Sequence, residues 1–267
     1  MDFLSVSGFL LSLYSILNLV DRGLSLWAPD CGSWGIPCRG TSGRSYICPL
    51  GHEFYQFVSR ANLMISRLSL CLLLVLCQNC LFLLEQPSQS LLFRHPRFEW
   101  FCNRVAWVFY VRFWMLHHGG TSSKQSVFWG NLSTMRDLDK GRMTQSERQS
   151  KTSVKTTRKY LDKSGQRRFV GDKEALKRTQ QYPSQLGDAV HQLYMQELSR
   201  PVVGSLRVNL TPSMEKTAVQ LFDELPMGDV WKDACLLPVF QYLYFCRHTR
   251  TVFWVCLKLS QFMIRMG

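Results

Sequence analysis

Residues 68–87 read Leu-Ser-Leu-Cys-Leu-Leu-Leu-Val-Leu-Cys-Gln-Asn-Cys-Leu-Phe-Leu-Leu-Glu-Gln-Pro, and how this stretch divides decides the fold. Taken whole, Leu68 to Leu84 approaches the roughly 18 apolar residues that mark a transmembrane helix. Gln78-Asn79 interrupt the run at a natural helix end, and Cys80-Leu81-Phe82-Leu83-Leu84 then reads as a separate buried strand. The divided reading predicts a helix from Glu53 to about Asn79 packed on a sheet, followed by a central parallel strand. The undivided reading predicts an integral membrane protein, with helices near 63–84 and 235–266.

Working outward, residues 9–20 form a short apolar helical pattern, too short to span a bilayer comfortably. Gly23 to Pro29 reads as a buried strand, and the Gly-, Ser-, Pro- and Arg-rich stretch from Cys31 to Gly51 as a loop. Beyond the turn at Glu85-Gln86-Pro87 come a helix from about Ser90 to Arg104 and two strands, Val105 to Leu116 and Gln125 to Trp129, rich in aromatic and β-branched residues. Strand and helix alternating in this rhythm predict a parallel α/β sheet with right-handed crossovers.

A basic polar stretch follows over 133–180, where Lys and Arg outnumber Asp and Glu by more than two to one. Tyr160 to Val170 has the pattern of a small hairpin turning at Lys163-Ser164-Gly165. Tyr182-Pro183 opens a helix through about Leu198, with Ser184 near its cap. The chain thus divides into an α/β core over 1–132, a basic insertion or linker over 133–180, a helix completing the core over 181–200, and an apolar, aromatic helical appendage over 201–267.

The formal charge is +13 and the pI near 9.5. A balance this basic favours anionic partners, either nucleic acid or an acidic membrane surface, and is also compatible with a merely solvated basic face. The ten cysteines are irregularly spaced; Cys77 and Cys80 form a C-x-x-C with no second pair at zinc-site spacing, so no metal site is expected. The Met1-Asp2-Phe3-Leu4 start lacks the basic region of a signal peptide. Reduced thiols in an intracellular protein, nuclear or cytoplasmic, are the expectation, with a membrane location as the alternative.

The chemistry concentrates where two strands end. The first runs out into Ala28-Pro29-Asp30-Cys31-Gly32-Ser33-Trp34 and the second into Leu84-Glu85-Gln86-Pro87. In an open parallel sheet the carboxyl ends of neighbouring strands face a shared crevice, which would bring Cys31 to Glu85. A thiolate can add to an electron-poor ring carbon while a carboxyl group hydrogen-bonds the ring nitrogen. Each residue also has a structural reading: Cys31 as a packed turn thiol, Glu85 as a cap on the following turn, and Trp34 as core packing.

Pro29-Asp30-Cys31-Gly32-Ser33-Trp34 resembles the Pro-Pro-Cys motif of cytosine-C5 DNA methyltransferases, and Glu85-Gln86-Pro87 resembles their Glu-Asn-Val or Glu-Asn-Pro. Downstream, His118-Gly119-Gly120-Thr121-Ser122-Ser123-Lys124 before Val127-Phe128-Trp129-Gly130-Asn131, then Gln181-Tyr182-Pro183 with Leu186-Gly187, are similar in order to later motifs of that family. The pattern over residues 2–198 is also similar to a group of dinoflagellate proteins carrying Ala-Pro-x-Cys-Ser-x-Trp and Leu-Glu-Gln-Pro.

The resemblance implies a partial Rossmann-like methyltransferase sheet lacking its first strands, and methyl transfer from S-adenosylmethionine to cytosine in DNA. Cys31 would be the nucleophile and Glu85 the acid at the ring nitrogen. Trp34, Arg44, Gln86 and Lys124 would contact substrate, Arg44 or Lys124 near phosphate. The chain departs from the family at Asp30, where a proline is usual, at Gln86, where Asn is usual, and in lacking a Gln-x-Arg-x-Arg motif. By this alignment the family's first strand and its Gly-rich cofactor loop would precede Met1. The expectation is a divergent methyltransferase-like protein, inactive or incomplete, or else a non-catalytic nucleic-acid-binding module.

Overall fold

The computed structural model describes residues 2–104, 108–149, 157–171 and 181–200, together with Glu174 and Lys177. The expected appendage over 201–267, including the proposed span at 235–266, lies outside the described residues.

The run at 68–87 divides as its polar break predicts. A long helix, α3 (Gln56–Cys77), ends and the strand β2 (Leu81–Pro87) begins four residues later. Asn79 adopts the left-handed conformation, φ 57°, and the Cys80 and Asn79 N–H groups donate back to the Val75 and Leu76 carbonyls. This paired closure satisfies carbonyls that a helix end otherwise leaves open, and Asn tolerates the left-handed region better than any of the leucines before it. A single helix over 63–84 is therefore corrected to helix, turn and strand. Among the described residues α3 remains the one helix long and apolar enough to cross a membrane, with 67% of its apolar window buried within the fold.

Preceding α3 are α1 (Val6–Leu17), capped by the Ser5 hydroxyl, the strand β1 (Leu24–Trp27), and α2 (Arg39–Ser42) within the expected loop. After β2 come α4 (Pro96–Arg104), β3 (Phe109–Trp114) and β4 (Gln125–Gly130). A short helix α5 (Gln145–Gln149), a separate hairpin of β5 (Thr157–Leu161) and β6 (Arg167–Gly171), and α6 (Ser184–Ser199) complete the described elements.

The main sheet has the order β1-β2-β4-β3. Strands β1 and β2 are parallel, while β4 is antiparallel to both β2 and β3. Three strands thus share one direction and β4 is inserted reversed between two of them, so the all-parallel expectation is corrected to a mixed sheet. The reason is the link from β3 to β4, residues 115–124. A parallel crossover needs a dozen or more residues, usually a helix; here a turn through Gly119, at φ 80°, sends the chain straight back. Gly130 ends β4 where a Cβ would lie 2.4 Å from the Phe82 carbonyl oxygen. The Asn131 side chain then accepts from Phe82 N–H and donates to the Cys80 carbonyl, closing the start of β2.

Period-2 alternation along β2 sends its side chains to two different cores. Phe82 and Leu84 join α1, α3 and α4 on one face. Leu81 and Leu83 join Phe113, Phe128 and the α6 residues Leu186, Val190 and Leu193 on the other. Burying an aliphatic or aromatic side chain of this size contributes about 1.5–3 kcal/mol. The result is a mixed α/β fold in three layers, with β2 covered on both faces, as its unbroken apolar sequence requires.

Candidate functional site

The same alternation aims the end of β2. Glu85 follows Leu81 and Leu83 onto the α6 face, and Gln86 follows Phe82 and Leu84 onto the other. Both are buried, at 4% and 0% exposure.

Gln86 Nε2 donates to the Pro29 carbonyl at 2.6 Å, and Gln86 Oε1 accepts from Ser90 Oγ at 3.0 Å. The side chain therefore ties the end of β2 to the segment that carries Cys31. That segment is held as a tight turn: the Cys31 carbonyl accepts from the Trp34 and Gly35 N–H groups, and Asp30 Oδ1 accepts from Gly32 N–H at 2.9 Å. Cys31 is half-buried.

Glu85 gathers two donors. Tyr182, just before α6, donates its hydroxyl to Glu85 Oε2 at 2.7 Å. Lys124, at the entry to β4, lies 3.5 Å from Glu85 Oε1. The Cys31 thiol is within the electrostatic reach of this group. Burial pushes its pKa up, Lys124 draws it down, and Asp30 and Glu85 push it up again. Since the thiolate is the nucleophile, a raised pKa keeps Cys31 in the less reactive thiol form at neutral pH. The Tyr182 phenol is raised as well, by local desolvation of the hydroxyl at Glu85 and then by the Glu85 charge, although 46% of the residue is exposed.

Trp34 and Arg44 belong elsewhere. Trp34 is fully buried, with the Arg44 guanidinium 3.4 Å from its ring centroid. Arg44, 2% exposed, donates to the Pro49 and Val58 carbonyls, Asn62 Oδ1 and Ser33 Oγ. Burial lowers its pKa to about 10. Both are turned into the loop that follows β1, so the ring face that could stack on a base and the charge that could meet a phosphate are engaged inside the protein. Their common function is to hold that loop, and with it Cys31, against α3.

Of the residues singled out from sequence, Glu85 and Lys124 are paired, with Cys31 in electrostatic range of both. Gln86 faces the other side of the sheet and ties down the Cys31 turn, and Trp34 and Arg44 lie buried behind that turn. Tyr182 completes the group. In sequence it reads only as part of a helix start, and no spacing rule connects it to Glu85, 97 residues away. His95, packed edge-on to Trp34 at 5.9 Å, also carries no sequence signal.

No group of three metal-ligating side chains occurs among the described residues. Nor do these residues fit S-adenosylmethionine. Among the described residues no Gly-x-Gly-x-x-Gly run joins a strand to a helix N-terminus. A cavity of about 200 Å³ between α1 and β1, lined by Ser12, Ile16, Ser25 and Trp27 among others, has no carboxylate for ribose hydroxyls. It is also smaller than the roughly 300–1,000 Å³ of small-molecule sites.

No protein-family model, curated protein or solved structure matches this chain.

Proposed function

We propose that this chain is a divergent DNA cytosine-C5 methyltransferase-like protein whose described residues carry the base-side chemistry of such a site and are inactive for methyl transfer by themselves. The observation that carries the reading is the gathering of Cys31, Glu85 and Lys124 at one end of adjacent strands of the mixed sheet. The net charge of +13 favours a polyanionic substrate and agrees with DNA.

In this reading Cys31 adds to an electron-poor carbon of a pyrimidine ring. The new S–C bond forms as the thiol proton leaves to solvent. The ring electron pair moves toward the ring nitrogen, and the proton that nitrogen takes comes from solvent by way of the Glu85 carboxyl. Lys124 and Tyr182 stabilise the carboxylate that remains. S-adenosylmethionine would supply a methyl group in the parent chemistry; the described residues do not fit it, and no step here depends on it.

The test is covalent capture. Purified full-length chain is incubated with DNA carrying pyrimidin-2-one, a more electron-poor ring, in place of cytosine. The expected result is a denaturation-resistant adduct that Cys31→Ala abolishes and that forms faster as pH rises, as the thiol ionises. DNA binding that weakens with salt, survives Cys31→Ala and never yields an adduct overturns this reading in favour of a non-catalytic nucleic-acid-binding module.

A further inference from the structure

Tyr182 contacts Glu85, a contact that its place in the Gln181-Tyr182-Pro183 segment does not foretell, and its geometry assigns it a role. We infer that Tyr182 is a positioning residue: its hydroxyl, donated to Glu85 Oε2, fixes the carboxyl so that Oε1 is the oxygen left to meet a bound ring. This rests on the reading of Cys31 and Glu85 as a base-capture pair.

The two oxygens of Glu85 are held unequally. The Tyr182 contact, at 2.7 Å, is a short hydrogen bond between a hydroxyl and a carboxylate. The Lys124 contact, at 3.5 Å, is at the outer limit of one and comes from a flexible four-carbon stem. A ring nitrogen entering the site displaces the weaker partner more readily than the stronger. Glu85 is otherwise on a rigid strand, with its backbone registered against Phe128 of β4. The torsions of its side chain are the remaining freedom, and Tyr182 removes it. Misplacement of a catalytic group by about 1 Å can cost on the order of 100-fold in rate.

Tyr182 is well suited to this because its attachment is independent of Glu85. The helix that follows it, α6, is fastened at its far end. Glu197 Oε2 accepts from Ser133 Oγ and Thr134 N–H, Thr134 Oγ1 donates to the Leu193 carbonyl, and Arg22 donates to the Leu198 carbonyl. Leu186, Val190 and Leu193 bury the helix against the sheet. Loss of one hydroxyl at position 182 leaves that anchoring in place, so a substitution there reads the carboxyl and not the helix.

The experiment uses full-length chain labelled with 3-fluorotyrosine, as wild type, Tyr182→Phe and Glu85→Gln. The fluorine resonance absent from Tyr182→Phe identifies position 182. Glu85→Gln is expected to move that resonance, because the phenol loses its charged acceptor. With pyrimidin-2-one DNA, Tyr182→Phe is expected to lower the adduct rate at saturating DNA by about 10-fold or more, with DNA affinity unchanged. A resonance that stays put in Glu85→Gln overturns the inference. So does a Tyr182→Phe protein whose saturating rate equals that of wild type, or one that loses only affinity. If wild type forms no adduct, the base-capture reading fails, and the fluorine shift alone then decides whether Tyr182 holds Glu85.

Discussion

The Arg44 guanidinium carbon lies 3.4 Å from the centroid of the Trp34 ring, and around it Arg44 gives hydrogen bonds to four protein oxygens. A cation stacked on an aromatic ring away from water is worth about 2 kcal/mol. Removing it also strands the oxygens it serves. The loop that presents Cys31 is thus fastened from the inside by one charged side chain.

Arg44→Ala is expected to destabilise the protein by about 2–4 kcal/mol, because it removes the stacked cation and leaves neutral buried oxygens unpaired, each at a cost of about 1–3 kcal/mol. Chemical denaturation read by tryptophan fluorescence measures it. Trp34→Phe, which keeps an aromatic face, is expected to lose markedly less than Trp34→Ala. Equal losses in the two Trp34 variants would show that the ring face is not what Arg44 needs.

Gln86→Leu keeps the volume of the side chain but removes its bonds to the Pro29 carbonyl and Ser90. Leaving such buried groups unpaired costs about 1–3 kcal/mol. Because the Pro29 bond restrains the Cys31 turn, alkylation of Cys31 by iodoacetamide, located by mass spectrometry, should accelerate at constant pH. A destabilised variant with unchanged Cys31 reactivity would separate Gln86 from the thiol.

The pH dependence of that alkylation tests the electrostatics. Asp30 and Glu85 raise the Cys31 pKa, so Asp30→Asn and Glu85→Gln should each shift the reactivity midpoint to lower pH. Lys124 lowers it, so Lys124→Met should shift the midpoint upward. Opposite signs from the two kinds of variant are the decisive feature. Burial is the largest influence, so every variant should stay above the ordinary thiol value.

His95 supplies an acid sensitivity. Burial, with Arg97 and Arg44 nearby, lowers its pKa from 6.5 to about 3. The unfolded chain therefore binds this proton first as pH falls. Stability from the neutral ring is complete above about pH 6.5 and is lost progressively as pH falls toward 3. The urea midpoint should drop between pH 7 and pH 4, and His95→Gln should flatten that drop.

Much of this was legible in the residues. Gln78-Asn79 marked the end of α3 because a polar pair inside a leucine run has one economical use, and Asn79 takes the left-handed turn. The apolar run after it specified a strand covered on both faces. The mixed direction of the sheet was not legible, since Gln125–Gly130 has the same strand pattern whichever way it pairs. The length of the link before it was the available signal, and the helix–strand rhythm obscured it. Trp34 and Arg44 look like ligand-contacting residues in sequence because an aromatic and an arginine beside a cysteine have the same composition whether they face solvent or each other.

The sequence by itself determined the break between α3 and β2 and the two-sided burial of β2, because local propensity and apolar patterning act within a few residues. It also placed Cys31 and Glu85 at strand ends. Tertiary structure alone decided which groups surround them. Tyr182 reaches Glu85 only because α6 packs its apolar stripe of Leu186, Val190 and Leu193 on the same sheet face. Arg44 is withdrawn from solvent only because α3 passes behind the loop. Burial and charge then set the Cys31 thiol, and those are properties of what is near in space, which a linear order of residues does not contain.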